Sequence, residues 1–100
     1  MSGGDWKAMF KGIQEDDFEL VKYYLKMGID PNYQHPEFMA HPLAESIRYN
    51  NLEITELLLL NGAKPLIREM ESGITPLELA RRMEKKKAID LINKFIELTP

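Results

Sequence analysis

The chain repeats one pattern of residue types at a fixed spacing of 34 residues. Residues 41–65 form the central copy, and the stretches before and after it carry several identical residues at the same positions. The identical pairs are Ile13 and Ile47, Glu19 and Glu53, Leu25 and Leu59, Gly28 and Gly62, Pro31 and Pro65, Pro42 and Pro76, Leu43 and Leu77, Arg48 and Arg82, and Leu57 and Leu91. Such a period is typical of a solenoid, in which each unit covers the apolar face of its neighbour. The sequence therefore predicts a single domain over residues 1–100, with units at about residues 5–34, 35–68 and 69–98.

Each unit contains two stretches of apolar residues at helical spacing, separated by a few polar residues. In the third unit Thr75, Pro76 and Glu78 match a capping box, in which the threonine caps a helix and the glutamate reaches back to the threonine N–H. In the first unit an aspartate of residues 16–17 can cap the second helix, and Gly28 supplies the left-handed residue that ends it. These signals predict an all-α fold, a helix-turn-helix solenoid of three units with projecting loops or hairpin fingers between them.

The central unit is expected to supply most of the core. Its second helix is the most apolar stretch of the chain, and the middle of a stack is covered on both sides. We therefore expect Leu52, Leu58 and Leu59 to be buried. The third unit is more polar, as an end unit must be. Its basic cluster is interpreted as a solvated end cap rather than a phosphate site, and consists of Arg81, Arg82, Lys85, Lys86 and Lys87.

Composition places the chain among ordinary globular proteins. The fractions of hydrophobic and charged residues, 44% and 29%, fit neither a disordered chain nor a membrane span. The longest aliphatic run, residues 57–60, is far shorter than the ~20 residues that cross a bilayer. There is no cysteine, which excludes disulfides and thiolate ligands and favours a cytoplasmic location. A net charge of −3 argues against binding to a nucleic-acid backbone.

The residues that could carry chemistry are few. The two histidines, His35 and His41, have no spacing typical of a metal site, and the chain lacks a glycine-rich phosphate loop. Its three serines have no neighbouring base that would make a nucleophile. We therefore predict no enzymatic activity, no cofactor and no metal. His41 is better explained as a residue that hydrogen-bonds backbone at a helix start.

The repeat resembles a known family. Residues 73–80 are close to the ankyrin repeat's opening, G-x-T-P-L-H-L-A, and residues 51–63 are similar to its second half. The resemblance covers roughly residues 5–97, as three units. Two departures concern the starts of the first helices: residues 7–9 replace Thr-Pro-Leu in the first unit, and His41 replaces threonine in the second. The resemblance implies a fold of stacked helix pairs with a concave face that binds partners.

In ankyrin proteins the fingers and the first helix of each unit line this concave face. Carried onto this chain, the resemblance gives ten candidate protein-binding residues, with Gln14, Glu15 and Met83 beside them: Trp6, Glu37, Phe38, Ala40, Arg48, Tyr49, Met70, Glu71, Ile74 and Arg82. Among these, the repeat register places Trp6, Phe38, Tyr49 and Arg82 together on the exposed concave face. They are the expected hot spots, because tryptophan, tyrosine and arginine dominate interface energies. Phe38 is explained equally well as an anchor of its own loop.

The sequence thus predicts a protein-binding module, an adaptor or inhibitor that works as a monomer by occupying another protein's surface. One alternative is a self-associating structural protein that buries its apolar concave face in an oligomer. Another is an acidic inhibitor that occupies the nucleic-acid-binding site of its partner. Neither a membrane nor a nucleic acid is expected as the direct partner.

Overall fold

The computed structural model of the chain describes residues 3–98. Over these residues it contains helices and turns and no strand, which confirms the predicted all-α fold. The helices form three consecutive pairs: α1 Gly3–Gln14 and α2 Phe18–Lys26, α3 Pro42–Arg48 and α4 Leu52–Leu60, α5 Pro76–Arg82 and α6 Lys86–Leu98. The first helices, α1, α3 and α5, pack side by side in one row, and the second helices, α2, α4 and α6, pack in another. The boundaries of the three units stay a prediction from the sequence period.

The helix starts follow the capping residues that the sequence predicts. Asp17 accepts a hydrogen bond from the Leu20 N–H at the start of α2. Thr75 and Glu78 form the complete capping box at the start of α5. His41 caps α3, because its Nδ1 accepts from the Leu43 N–H at 3.2 Å. Each cap satisfies backbone donors that the first turn of a helix leaves without partners.

Glycine ends the second helices of the first two units. Gly28 and Gly62 have φ of 98° and 93°, a left-handed conformation that a side chain disfavours. The turns that follow are joined by Asn32, whose side chain donates to the Gly62 carbonyl at 2.9 Å and accepts from the Lys64 N–H at 2.8 Å. At the corresponding place α6 has Ile96, and the helix continues to Leu98.

The core lies between the two rows of helices. Leu58 and Leu59 of α4 are buried as predicted, together with Ile54 on the same helix and Ile92 on α6. The prediction for Leu52 is wrong, because this side chain is 39% exposed. Leu52 is the first residue of α4, and side chains of a helix point toward its N-terminus, so Leu52 projects past the helix end into a cleft beside residues 84–88.

Candidate functional site

Two loops project from the helix pairs, and we call residues 33–40 finger 1 and residues 67–74 finger 2. Both consist of turns rather than strands. The fingers are bonded to each other: the Glu71 N–H donates to the Met39 carbonyl at 2.8 Å. The Gln34 side chain donates to the Arg68 carbonyl at 2.9 Å and accepts from the Met70 N–H at 2.7 Å. The two fingers therefore form one connected edge instead of two independent loops.

Aromatic rings hold finger 1 against α1. Trp6 on α1 stacks on Phe10 with ring centroids 4.7 Å apart, and the rings of His35 and Phe38 approach it to 5.4 and 5.8 Å. The Trp6 Nε1 donates to the Tyr33 carbonyl at 2.9 Å. The prediction that Trp6 is exposed is therefore wrong: the finger folds over the indole and leaves it 2% exposed.

A buried carboxylate holds finger 2 against α3. Glu69 is buried, and its oxygens accept from the Arg48 guanidinium, at 2.9 Å for Nη1, and from the His41 N–H at 3.0 Å. Arg48 also donates to Glu45 at 3.1 Å, and Glu45 in turn accepts from Gln14 of α1 at 2.8 Å. A continuous chain of polar side chains thus links all three units along the first helices.

The environment of Glu69, Arg48 and His41 shifts their pKa values. Burial by itself raises the pKa of Glu69, but hydrogen bonds from Arg48, Ser72 and the His41 N–H outweigh it and hold the pKa below its usual value. The hydrogen bond to Glu69 raises the pKa of Arg48. Burial lowers the pKa of His41. Its Nδ1 accepts from the Leu43 N–H and so carries no proton, and its Nε2 donates to the Lys64 carbonyl, which makes the ring neutral. The group is therefore a charged pair braced by a neutral histidine.

The ten candidate residues differ in how much of their surface they present. Trp6 and Ala40 are buried, and Arg48 and Ile74 are partly exposed. Arg48 is also committed to Glu69 and Glu45. The exposed candidates are Glu37, Phe38, Tyr49, Met70, Glu71 and Arg82. Beside them Gln14 is partly exposed, and Glu15 and Met83 are exposed.

The exposed candidates do not all have free side chains. Glu37 is paired with Lys7 at 2.9 Å, and this hydrogen bond lowers the pKa of Glu37. Phe38 packs on Trp6 and on Phe10, yet it is still partly open to solvent. It is therefore an anchor of finger 1 and a surface residue at once.

Three residues that shape this surface were not among the candidates chosen from the sequence. The sequence did not indicate Glu69, because its partner Arg48 belongs to another unit and the 34-residue period does not relate the two residues. Glu45 did give one, since an acid stands where the repeat pattern often has leucine, and a buried acid needs a donor. Met39, exposed with φ of 51°, lies at the turn that carries finger 1 back to α3.

Two of the clefts in the molecule are lined by none of the ten candidate residues. One, of about 370 Å³, is lined by the loop between α3 and α4 and by residues 84–88, and so includes three lysines of the basic cluster. The other, of about 610 Å³, is apolar and lies between α6 and the turn after α4. Its main apolar lining residues are Leu59, Ala63, Pro65, Leu66, Ile67, Phe95 and Ile96. Over residues 3–98 no cluster of potential metal ligands occurs, and no helix is long and apolar enough to span a membrane.

The chain is similar to proteins that contain ankyrin repeats. It is 36% identical over 76 residues to the 2-5A-dependent ribonuclease of Homo sapiens, a match that covers 76% of the chain and 10% of the ribonuclease. It is 32% identical over 93 residues to ankyrin repeat and KH domain-containing protein mask-1 of Caenorhabditis elegans, covering 92% of the chain and 3% of that protein. An ankyrin repeat protein of fowlpox virus is 33% identical over 75 residues, 74% of the chain and 22% of its own length.

The chain therefore spans less than a quarter of each of these relatives. No protein-family model matches it. The 34-residue period, the two rows of packed helices and the similarity over most of the chain nevertheless agree with one another. On these grounds the chain belongs to the ankyrin repeat family.

Proposed function

We propose that this chain is a protein-binding module that recognises its partner through the face formed by the two fingers and the first helices. Ankyrin repeats are in general modules of protein–protein interaction. The observation that supports this face is a set of large, exposed side chains on a connected edge: Phe38 and Met39 on finger 1, Met70 on finger 2, and Tyr49 and Met83 after α3 and α5. Aromatic residues and methionine are enriched in interfaces, where they bury much area and adapt to the opposing surface.

The anchoring of the fingers supports the same proposal. Binding costs free energy when loops must be ordered at the interface. Here a ring of finger 1 packs on Trp6, and the Glu69 carboxylate of finger 2 accepts from the His41 N–H. Gln34 of finger 1 accepts from the Met70 N–H and so links the two fingers. A partner would therefore meet a surface that is already ordered. The chain measures 32 Å in its longest direction, enough for a standard interface of ~800 Å² on each side.

This mode of action requires no reaction. The module would act as an adaptor or an inhibitor, by occupying a surface of the partner, in the cytoplasm and as a monomer. Sedimentation of the purified chain tests the last point. A dimer at micromolar concentration would instead favour self-association, for which the apolar cleft beside Leu66 and Phe95 offers a surface.

The test uses pairs of matched residues on opposite sides of the molecule. Tyr49 after α3 and Tyr23 on α2 are 50% and 55% exposed; Met70 on finger 2 and Met27 after α2 are 55% and 60% exposed. A partner captured by affinity purification is titrated against the four alanine variants. We expect Tyr49→Ala and Met70→Ala to weaken binding by ~1–3 kcal/mol and Tyr23→Ala and Met27→Ala to have little effect. The reverse pattern would move the site to the second helices.

A further inference from the structure

The loops that join the two helices of a unit differ in how they meet the preceding unit. Asn51, in the loop between α3 and α4, donates from its side-chain amide to the Ile13 carbonyl of the first unit at 2.6 Å. The equivalent residue of the third unit, 34 positions later, is Lys85, and the equivalent carbonyl is that of Ile47. A side chain therefore bridges the first junction, and the second junction has a lysine in its place.

The cleft of about 370 Å³ lies at this second junction, and both Ile47 and Lys85 line it. All of its lining residues fall within residues 46–55 and 84–88, so its two walls are the second and third units. Ligand sites in proteins commonly measure roughly 300–1,000 Å³. The cleft is at the small end of this range and has room for a few side chains of a bound peptide.

The lining of this cleft combines positive charge with an apolar side chain. Lys85, Lys86 and Lys87 contribute three cations against one acid, Glu84. In the described part of the chain, Glu84 forms no ion pair with any of these lysines. Leu52 projects into the same cleft and is 39% exposed. A complementary ligand therefore carries a negative charge beside an apolar group, because the charge pairs with the lysines and the apolar group covers the leucine.

We propose that this cleft is a second docking site, which receives an aspartate or glutamate of an acidic protein segment together with the apolar residue next to it. The carboxylate accepts from the lysines, and the apolar side chain packs on Leu52. Glu84 and Leu52 favour this ligand over a phosphate, which carries nearly twice the charge and no apolar group. None of the ten candidate residues lines the cleft, so the chain would hold two proteins at once, as an adaptor does.

A selection on the full chain supplies probes for this site. Random peptides displayed on phage are selected, synthesised and titrated into the isotope-labelled chain, and shifts of backbone amides in nuclear magnetic resonance spectra locate each peptide. We expect a class of peptides with an acid next to a large apolar residue that shifts residues 50–52 and 84–88 and leaves both fingers unchanged. Replacing the acid by its amide should weaken this class about tenfold or more.

Three variants of the chain identify the contacts. Lys85→Asn installs the residue that bridges the first junction, so it should close the cleft and weaken the acidic peptides about tenfold or more. Asparagine is favoured just before a helix, and urea denaturation should show an intact fold. Lys94→Asn removes the same charge from an exposed position of α6 outside the cleft, and should change binding by less than about twofold. Leu52→Ala should weaken binding about threefold, because the apolar contact is reduced.

The outcomes separate this site from the proposed binding face. Peptides that shift only the fingers and lose affinity with Tyr49→Ala or Met70→Ala would overturn the second site and leave the proposed function standing. Equal losses with Lys85→Asn and Lys94→Asn would also overturn it, because general charge attraction would then explain the binding. A single-stranded DNA oligonucleotide that shifts residues 84–88 at a lower concentration than every selected peptide would overturn it in favour of phosphate. Peptides that shift the cleft, with none that shifts the fingers, would support the second site and count against the proposed face.

Discussion

The two fingers perform the same task with different chemistry. His35 and Glu69 occupy equivalent positions in them, 34 residues apart. In finger 1 His35 joins Phe38 on the indole of Trp6, and the anchor consists of ring contacts and the hydrogen bond from Trp6 to the Tyr33 carbonyl. In finger 2 Glu69 is a buried carboxylate held by Arg48 and by backbone. The repeat therefore determines the position of each finger. The individual side chains determine which contacts anchor it and whether its stability depends on pH.

The largest loss of stability is expected when the centre of the finger 1 anchor is removed. Trp6→Ala deletes a buried indole together with its hydrogen bond to the Tyr33 carbonyl. Such substitutions cost ~3–5 kcal/mol, a large part of the ~5–15 kcal/mol that stabilises a typical domain. Urea denaturation measures the change. A loss below about 1 kcal/mol would show that the aromatic cluster is not an anchor.

A smaller loss is expected at the anchor of finger 2. Glu69→Gln keeps the shape of the side chain but removes its charge, so the hydrogen bonds from Arg48 and His41 are weakened or lost. Hydrogen bonds to charged groups contribute ~1.5–3 kcal/mol, and we expect a destabilisation of that size. The control is Glu71→Gln on the exposed part of the same finger, which should stay within about 0.5 kcal/mol. Equal effects of the two variants would contradict the anchoring role.

The stability of the chain should also depend on pH, through His41 at the start of α3 and Glu69 in finger 2. Burial lowers the pKa of His41 on folding, so below its ordinary value of 6.5 the unfolded chain binds a proton that the folded chain does not, and stability falls. The pKa of Glu69 is also lowered, so a second decline begins below its ordinary value of 4.5. Unfolding free energies measured from pH 7.5 to 4 should show both stages.

Two variants separate these stages. His41→Thr keeps a capping residue at the start of α3 and should flatten the decline that begins near pH 6.5. Glu69→Gln should reduce the decline below pH 4.5. Glu37→Gln serves as the comparison in finger 1: the Glu37 pKa is lowered in the same direction, but its pair with Lys7 is exposed and screened. A profile that neither His41→Thr nor Glu69→Gln alters would contradict the assignment of pH sensitivity to His41 and Glu69.

The smallest effect concerns the residue that belongs to both the anchor and the surface. Phe38→Ala removes ring contacts with Trp6 and Phe10, which contribute ~0.5–1.5 kcal/mol beyond area for an aromatic pair. We expect a loss near the upper end of this range in urea denaturation. Tyr49→Ala, which removes an exposed ring of the same face, should change stability by less than about 0.5 kcal/mol. If both variants cost equally little, Phe38 is a surface residue only.

The sequence predicted those features that local or periodic patterns encode. The helix caps at Asp17, His41 and Thr75 and the left-handed Gly28 and Gly62 all follow from residues within one turn of a helix. The repeat then determined which helices pack in a row. Helix caps and helix-ending glycines depend only on residues a few positions away, so they can be recognised in the sequence itself.

The features that could not be predicted depend on contacts between units. Trp6 is buried only because finger 1, about 30 residues later, folds back over it. Glu69 and Arg48 are 21 residues apart and belong to different units, so neither marks the other in the sequence. Leu52 matches the apolar pattern of α4, but its exposure depends on its being the first residue of the helix. Six of the ten candidate site residues lie exposed, and their role in binding stays a proposal.

The most direct measurement for the central claim is a hydrogen-exchange footprint of the full chain with and without the captured partner. If the face formed by the two fingers and the first helices is the binding surface, protection should concentrate in the two fingers and at the C-terminal ends of α3 and α5. The helices of the second row, α2, α4 and α6, should exchange at the same rate in both states. Protection confined to α2, α4 and α6, with unchanged exchange in both fingers, would contradict the account.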